Sequence, residues 1–110
     1  MIREHIEQIQ AKVRDAKSIP EETRADLLEL LSGLKSEVDV LSQTREEDAH
    51  SVARFAAASA HEATRAEQKP ELLKAALDGL SSSVAGLEAS HPKLADTVNR
   101  IAVALSNMGI

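Results

Sequence analysis

A Glu-x-x-His string is the one feature of the sequence whose residue types and spacing resemble a metal site. Glu47 and His50 are three residues apart, so a helix places their carboxylate and imidazole on adjacent turns of one face. Di-iron helical bundles use this pair twice, together with glutamates from two other helices. A di-iron-like bundle assembled across a homodimer is therefore the alternative hypothesis for function. The preferred interpretation is an exposed helix surface, because the string is common in glutamate-rich helices.

The other reactive side chains show no catalytic pattern. His61 and Glu62 begin a string that lacks the second histidine of an HExxH metal motif, since Arg65 holds that position. Cysteine is absent, which excludes thiolate metal sites and cysteine nucleophiles. The four glycines are isolated, so no glycine-rich phosphate loop is predicted. We therefore predict no catalytic residue, no cofactor and no enzymatic activity.

Composition and charge exclude several classes of partner. The 110 residues include 13 Lys and Arg against 18 Asp and Glu, a net charge of -5, and one aromatic residue, Phe55. Nucleic-acid interfaces use basic surfaces and stacking aromatics, so nucleic-acid binding is not predicted. No apolar run reaches the ~20 residues of a membrane span, and no signal peptide is recognisable. The expected location is the cytoplasm.

Apolar residues recur at intervals of three and four, which predicts an all-α fold in a single domain over residues 1–110. The predicted helices cover about residues 2–17, 20–66, 70–89 and 92–108. Short connections make neighbouring helices antiparallel hairpins, and we expect them to pack as a bundle in the manner of a coiled coil. Ser18 with Glu21 is predicted to cap the second helix, and Gly109 to end the last one.

The second predicted helix is one long central helix. Its stripe continues with an eleven-residue repeat that includes Arg45, and no glycine or proline interrupts its second half. A continuous helix would be roughly 70 Å long at 1.5 Å per residue. The alternative is a break at residues 42–44, where Thr44 and Glu47 would form a new capping box. We take the continuous helix as the prediction and keep the break as the alternative.

The extent of the apolar stripes predicts self-association. Eight of the 18 residues from 49 to 66 are alanine, and small side chains gain most when packed along a partner helix. Gly33 is expected to allow the close approach of another helix. Because a short chain cannot cover stripes of this extent, we predict a homodimer or higher homo-oligomer. The residues predicted to make these packing contacts are Leu31, Leu34, Val38, Val52, Phe55, Ala56, Ala60, Leu94, Ile101 and Leu105, with Ile6, Ile9, Leu77 and Leu80 beside them.

Two short motifs near the end of the chain resemble a known family. They are Glu-x-Ser-His-Pro-x-Leu at residues 88–94 and Leu-Ser-Asn-Met-Gly-Ile at residues 105–110. In both, the sequence is similar to a family of small bacterial helical proteins, the domain of unknown function numbered 4404. The resemblance is good over 70–110 and loose over 1–41, and 42–69 look like an extension over shorter members. It implies a helical fold and no catalytic residues.

Together these features predict a non-enzymatic helical module that acts by self-association or by binding an unknown protein partner. A coat on lipid or polymer surfaces is a third hypothesis, and it depends on alanine and leucine content alone.

Overall fold

A computed structural model describes residues 2–17 and 19–108, and within them the chain forms five α-helices and no strand. The all-α prediction is confirmed. The predicted Ser18 cap and the predicted helix end at Gly109 lie outside the described residues. The helices are α1 (Ile2–Asp15), α2 (Glu21–Ser42), α3 (Glu46–Ala63), α4 (Pro70–Ser83) and α5 (Pro92–Met108).

The prediction of one long central helix is wrong, because the chain breaks between α2 and α3. Arg45 leaves the helical range, with φ -138° and ψ 66°, and the longest dimension of the protein is 37 Å. A continuous helix would carry Arg45 into the apolar stripe between Leu41 and Ala49. The break instead leaves its side chain 48% exposed, with Nε 3.1 Å from the Asp48 carboxylate. The break falls where the alternative placed it, but Arg45 rather than Thr44 precedes α3, and no side chain caps the helix.

Helix α3 lies at the centre of the protein and packs against all four of the other helices. Its buried positions recur every three or four residues in adjacent rows, which gives a broad face of small side chains. Small side chains let helix axes approach closely, so several helices share this face. The alanine run therefore packs along helices of its own chain. The buried residues of α3 are Ala49, Val52, Ala53, Ala56, Ser59, Ala60 and Ala63.

The apolar stripes are covered within a single protomer, which overturns the reasoning that predicted self-association. Nine of the ten predicted contact residues are at most 2% exposed, and Phe55 is the exception. Ile6, Ile9 and Leu80 are also buried, and Leu77 is half-buried. Completion of the core is therefore no reason for two chains to associate. The oligomeric state stays a prediction that needs a different physical basis.

Phe55 is the one of the ten predicted contact residues that is not buried, because it lies over α4 at the surface. Its side chain is 40% exposed. Gly79 on α4 makes room for the ring, since a Cβ at that position would overlap the ring carbons Cε1 and Cδ1. The space around Gly33 is open, because nothing apart from its chain neighbours and its own helical backbone lies within 4 Å of where its Cβ would be. The close helix approach predicted at Gly33 is therefore not made within the protomer.

Arg24 joins the end of α1 to the start of α2. Its side chain is 18% exposed, and its Nε donates a hydrogen bond to the Glu21 carboxylate at 3.1 Å. Helix ends leave carbonyl oxygens without partners, and a cationic donor there also interacts favourably with the helix dipole. The guanidinium donates to four such backbone carbonyls, those of Val13, Arg14, Ala16 and Ile19, at 2.7 to 3.0 Å.

Helix α4 ends at Ser83, so the predicted helix to residue 89 is too long. Gly86 has a φ of 88°, a left-handed conformation that glycine adopts without strain, and the helical path ends before it. Val84 and Leu87 are nevertheless 4% exposed. The Leu87 N–H donates to the Val84 carbonyl at 3.0 Å. The turn closed by this hydrogen bond keeps the two side chains on the buried side, as a helix would. Helix α5 occupies the predicted range 92–108.

Replacing Arg24 by alanine is expected to lower the free energy of unfolding by about 2–3 kcal/mol, because the carbonyls at the end of α1 lose a charged donor. Urea denaturation followed by circular dichroism measures the change. Arg54→Ala is the matched control, since Arg54 is exposed on α3, and it should change stability by less than about 0.5 kcal/mol. Equal losses in the two variants would contradict the role of Arg24.

The two helical glycines are expected to respond differently to alanine. Gly33→Ala should stabilise the protein by about 1 kcal/mol, because it adds helix propensity in open space. Gly79→Ala should gain less or lose stability, because its methyl group displaces the Phe55 ring. In a Phe55→Ala background, Gly79→Ala should recover the gain seen at Gly33. A double-mutant cycle in urea measures this coupling, and strict additivity of Gly79→Ala and Phe55→Ala would contradict it.

Candidate functional site

The structure does not build a metal site around Glu47 and His50. The carboxylate near His50 is that of Glu46, whose Oε1 lies 3.8 Å from Nε2, and Glu47 is exposed. His50 Nδ1 is buried without a hydrogen-bond partner. Within residues 2–17 and 19–108, no three His, Asp or Glu side chains are grouped so as to hold a metal ion. The metal-binding alternative therefore gains no support from the protomer.

A cleft lined with carboxylates lies beside His50, where α1, the end of α2 and the start of α3 meet. Its volume is about 680 Å³. Two of its carboxylates are already engaged, Asp39 with Arg3 at 3.3 Å and Glu7 with Lys35 at 3.8 Å. Because both ion pairs connect α1 to α2, we interpret this cleft as part of the packing between these helices.

Ser59 carries the other buried polar atom without a partner. The residue is 0% exposed on the alanine face of α3. A serine nucleophile needs a base within hydrogen-bond distance, and the Ser59 hydroxyl has no hydrogen-bond partner among the described residues. Ser59 therefore packs as a small core residue and has no catalytic environment.

An open groove has α2 on one side and α5 on the other, and we call it the α2–α5 groove. Its volume is about 1220 Å³. The α1–α2 turn and the chain around the end of α3 complete its lining. The lining residues are Lys17, Ile19, Pro20, Thr23, Asp26, Glu29, Leu30, Ala63, Thr64, Arg65, Ala66, Gln68, Arg100, Val103, Ala104, Asn107 and Met108.

Charge is divided between the two sides of the α2–α5 groove. Helix α2 contributes the carboxylates of Asp26 and Glu29, whereas α5 contributes the guanidinium of Arg100. Arg65 also lines the groove but is already paired with Glu62 at 2.9 Å, and Lys17 lies in the turn that leads into α2. The carboxylates of α2, the acidic side of the groove, therefore stand opposite Arg100 of α5, its basic side.

Apolar surface also lines the α2–α5 groove. Val103 on α5 is 61% exposed, more than the other exposed large apolar residues of the described chain. Leu30, Ala104 and Met108 line the same groove and are half-buried. Apolar surface with a polar, charged rim is the usual anatomy of a protein-binding face.

The sequence prediction missed this groove. None of the ten predicted contact residues lines it. Those residues were chosen from the apolar stripes, and the stripes are buried in the core. One signal was available, since Val103 is an apolar residue on the face of α5 opposite Leu94 and far from the buried stripe. The meeting of α2 with α5 could not be read from the sequence, because these helices are distant along the chain.

Ser59→Ala is expected to raise the free energy of unfolding by about 1–2 kcal/mol, because it removes a buried hydroxyl that lacks a partner and adds helix propensity. Ser51→Ala is the matched control on the same helix. Because Ser51 is exposed, this substitution adds helix propensity and removes no buried hydroxyl. Urea denaturation of both variants measures the difference. A gain at Ser59 no larger than that at Ser51 would show that the buried hydroxyl carries no penalty.

No helix among the described residues combines the length and the apolar character needed to cross a membrane. Neither the curated proteins nor the solved structures include a match to this sequence.

The sequence model of one family, a domain of unknown function (DUF4404), matches residues 34–110. The matched region takes in α3, α4, α5 and the second half of α2. It includes residues 42–69, so the interpretation of that stretch as an extension of the family is wrong. The first 33 residues, where the sequence resemblance is loose, lie outside the match. Because the match covers more than half of the chain's length, the chain belongs to the DUF4404 family.

Proposed function

We propose that this protein is a non-enzymatic helical interaction module and that the α2–α5 groove is the face that binds its protein partner. The observation that carries the proposal is the 61% exposure of Val103 inside a groove with charged sides. Other exposed apolar side chains, such as Val40 and Leu72, do not line this groove. We propose the cytoplasm as the place where such a module would act.

The dimensions of the groove favour a protein segment over a small molecule. Small-molecule sites are concave cavities of about 300–1,000 Å³ that enclose most of the ligand. The α2–α5 groove is an open channel of about 1220 Å³ whose sides are the surfaces of two helices. A helix with its side chains is about 10 Å across, and grooves between helices commonly receive an apolar helix face.

The chemistry of the lining agrees with such a partner. The exposed methyl groups of Val103 and the half-buried Leu30 offer apolar contact. Burial of apolar area contributes roughly 25 cal/mol per Å². Asp26, Glu29 and Arg100 line the same groove, and charges in an interface select among partners more than they add affinity.

Photo-crosslinking from position 103 tests the proposal. A benzoylphenylalanine replacing Val103 is expected to form covalent adducts with a protein partner on irradiation of cells that naturally produce this chain. Because Val103 is exposed, the replacement should alter stability by less than about 0.5 kcal/mol. Adducts are detected by their mass on a denaturing gel and identified by mass spectrometry.

Leu72 provides the matched control position. It is 45% exposed on α4 and lies outside the groove, so the same photo-reactive residue there should give no discrete adduct. A groove that binds no protein would give no adduct from position 103, or the same adducts from both positions.

A further inference from the structure

We infer that the partner in the α2–α5 groove is a second copy of this chain, docked groove to groove about a two-fold axis that runs along the groove. The inference rests on the proposed function and adds the identity of the partner. Its basis is the division of charge between α2 and α5, together with the position of the two apolar residues Leu30 and Val103.

The carboxylates of α2 and the exposed guanidinium of Arg100 are available to pair across an interface. Among the described residues, Asp26 and Glu29 form no ion pair, and Arg100 pairs with Asp96 on its own helix at 3.0 Å. The side chains of Arg100 and Asp96 are 68% and 64% exposed. Exposed pairs of this kind add little to stability, so Arg100 can turn to a carboxylate of another chain at small cost.

A two-fold axis along the groove exchanges its two sides. The acidic side on α2 of one protomer then faces the basic side on α5 of the other, and the same contact occurs twice. An arrangement that set α2 against α2 would oppose carboxylates to carboxylates. A foreign helix of one predominant charge would be attracted by one side and repelled by the other. A second copy meets both sides with opposite charge.

The same two-fold rotation brings together the apolar residues of the two grooves. Leu30 lies on the α2 side and Val103 on the α5 side. Across the axis, Leu30 of one protomer faces Val103 of the partner subunit, and this contact is also made twice. The exposed surface of Val103, which has no cover in the protomer, is thereby placed at the apolar centre of the interface.

The extent of the groove sets the expected affinity. Seventeen of the described residues line it, whereas standard interfaces use about 20–30 residues on each side. Association is therefore expected to be weak and to require a high protein concentration.

Charge reversal in the purified full chain tests the inference by sedimentation equilibrium from about 10 μM to 1 mM. At about 150 mM salt the Debye length is about 8 Å, which screens the net charge of each copy but not direct contacts. Glu29→Lys and Arg100→Glu each place like charges in both symmetric contacts, so each alone should weaken dimerisation about tenfold. An equimolar mixture of the two variants should recover wild-type association. In a mixed dimer, one contact joins the introduced lysine of one chain to the introduced glutamate of the other. The second contact joins the unchanged Glu29 to the unchanged Arg100.

Arg54→Glu is the matched control for Arg100→Glu, because it makes the same change in charge at an exposed position of α3 outside the groove. It should dimerise as the wild type does, and circular dichroism should show unchanged helicity in every variant. A wild-type chain that stays monomeric to 1 mM, a dimer indifferent to both reversals, or a mixture that fails to recover would overturn the inference. If position 103 nevertheless crosslinks to a different protein, the proposed function stands with another partner. If the purified chain stays monomeric and position 103 gives no crosslink, both proposals fail.

Discussion

The packing of four helices against the small side chains of α3 is the constraint on which the rest of the structure depends. Because most of its buried residues are alanine, α3 presents a broad face that several neighbouring helices contact together. The chain must reverse direction at each end of α3 to bring those neighbours into place. The break at Arg45 and the turn that follows Ala63 meet this requirement. A rod continuing through Arg45 would leave the alanine face uncovered in a single chain.

Apolar spacing was a good guide to which face of each helix is buried and a poor guide to where a helix ends. The stripe of α5 predicts both its buried residues and its bounds. The stripe of α4 runs on through Val84 and Leu87, which are buried although they lie in turns beyond the helix. Side chains spaced by three residues reach the core from a turn as well as from a helix. Helix ends depend instead on local backbone preferences, such as the left-handed conformation of Gly86.

The candidate site was harder to predict than the fold, for a physical reason. Folding buries the strong apolar stripes, so the surface that remains for a partner is formed by residues outside them, such as Val103. Sequence reasoning pairs helices that are neighbours along the chain, whereas the α2–α5 groove joins the second helix to the fifth. Because the protomer covers its own core, self-association is not needed for folding. Association would be a reversible docking of folded chains and would make no contribution to forming the core.

The alanine face of α3 also indicates where this protein tolerates mutation least. In most cores the damaging substitutions are those that remove volume, because they leave cavities. Here Ala53, Ala56 and Ala60 have almost no side chain to lose and are at most 1% exposed. Substitutions that enlarge them would wedge neighbouring helices apart, at a typical cost of 1–3 kcal/mol each. The vulnerable positions of this chain are therefore its smallest residues, and a mutational scan ranked by lost volume would overlook them.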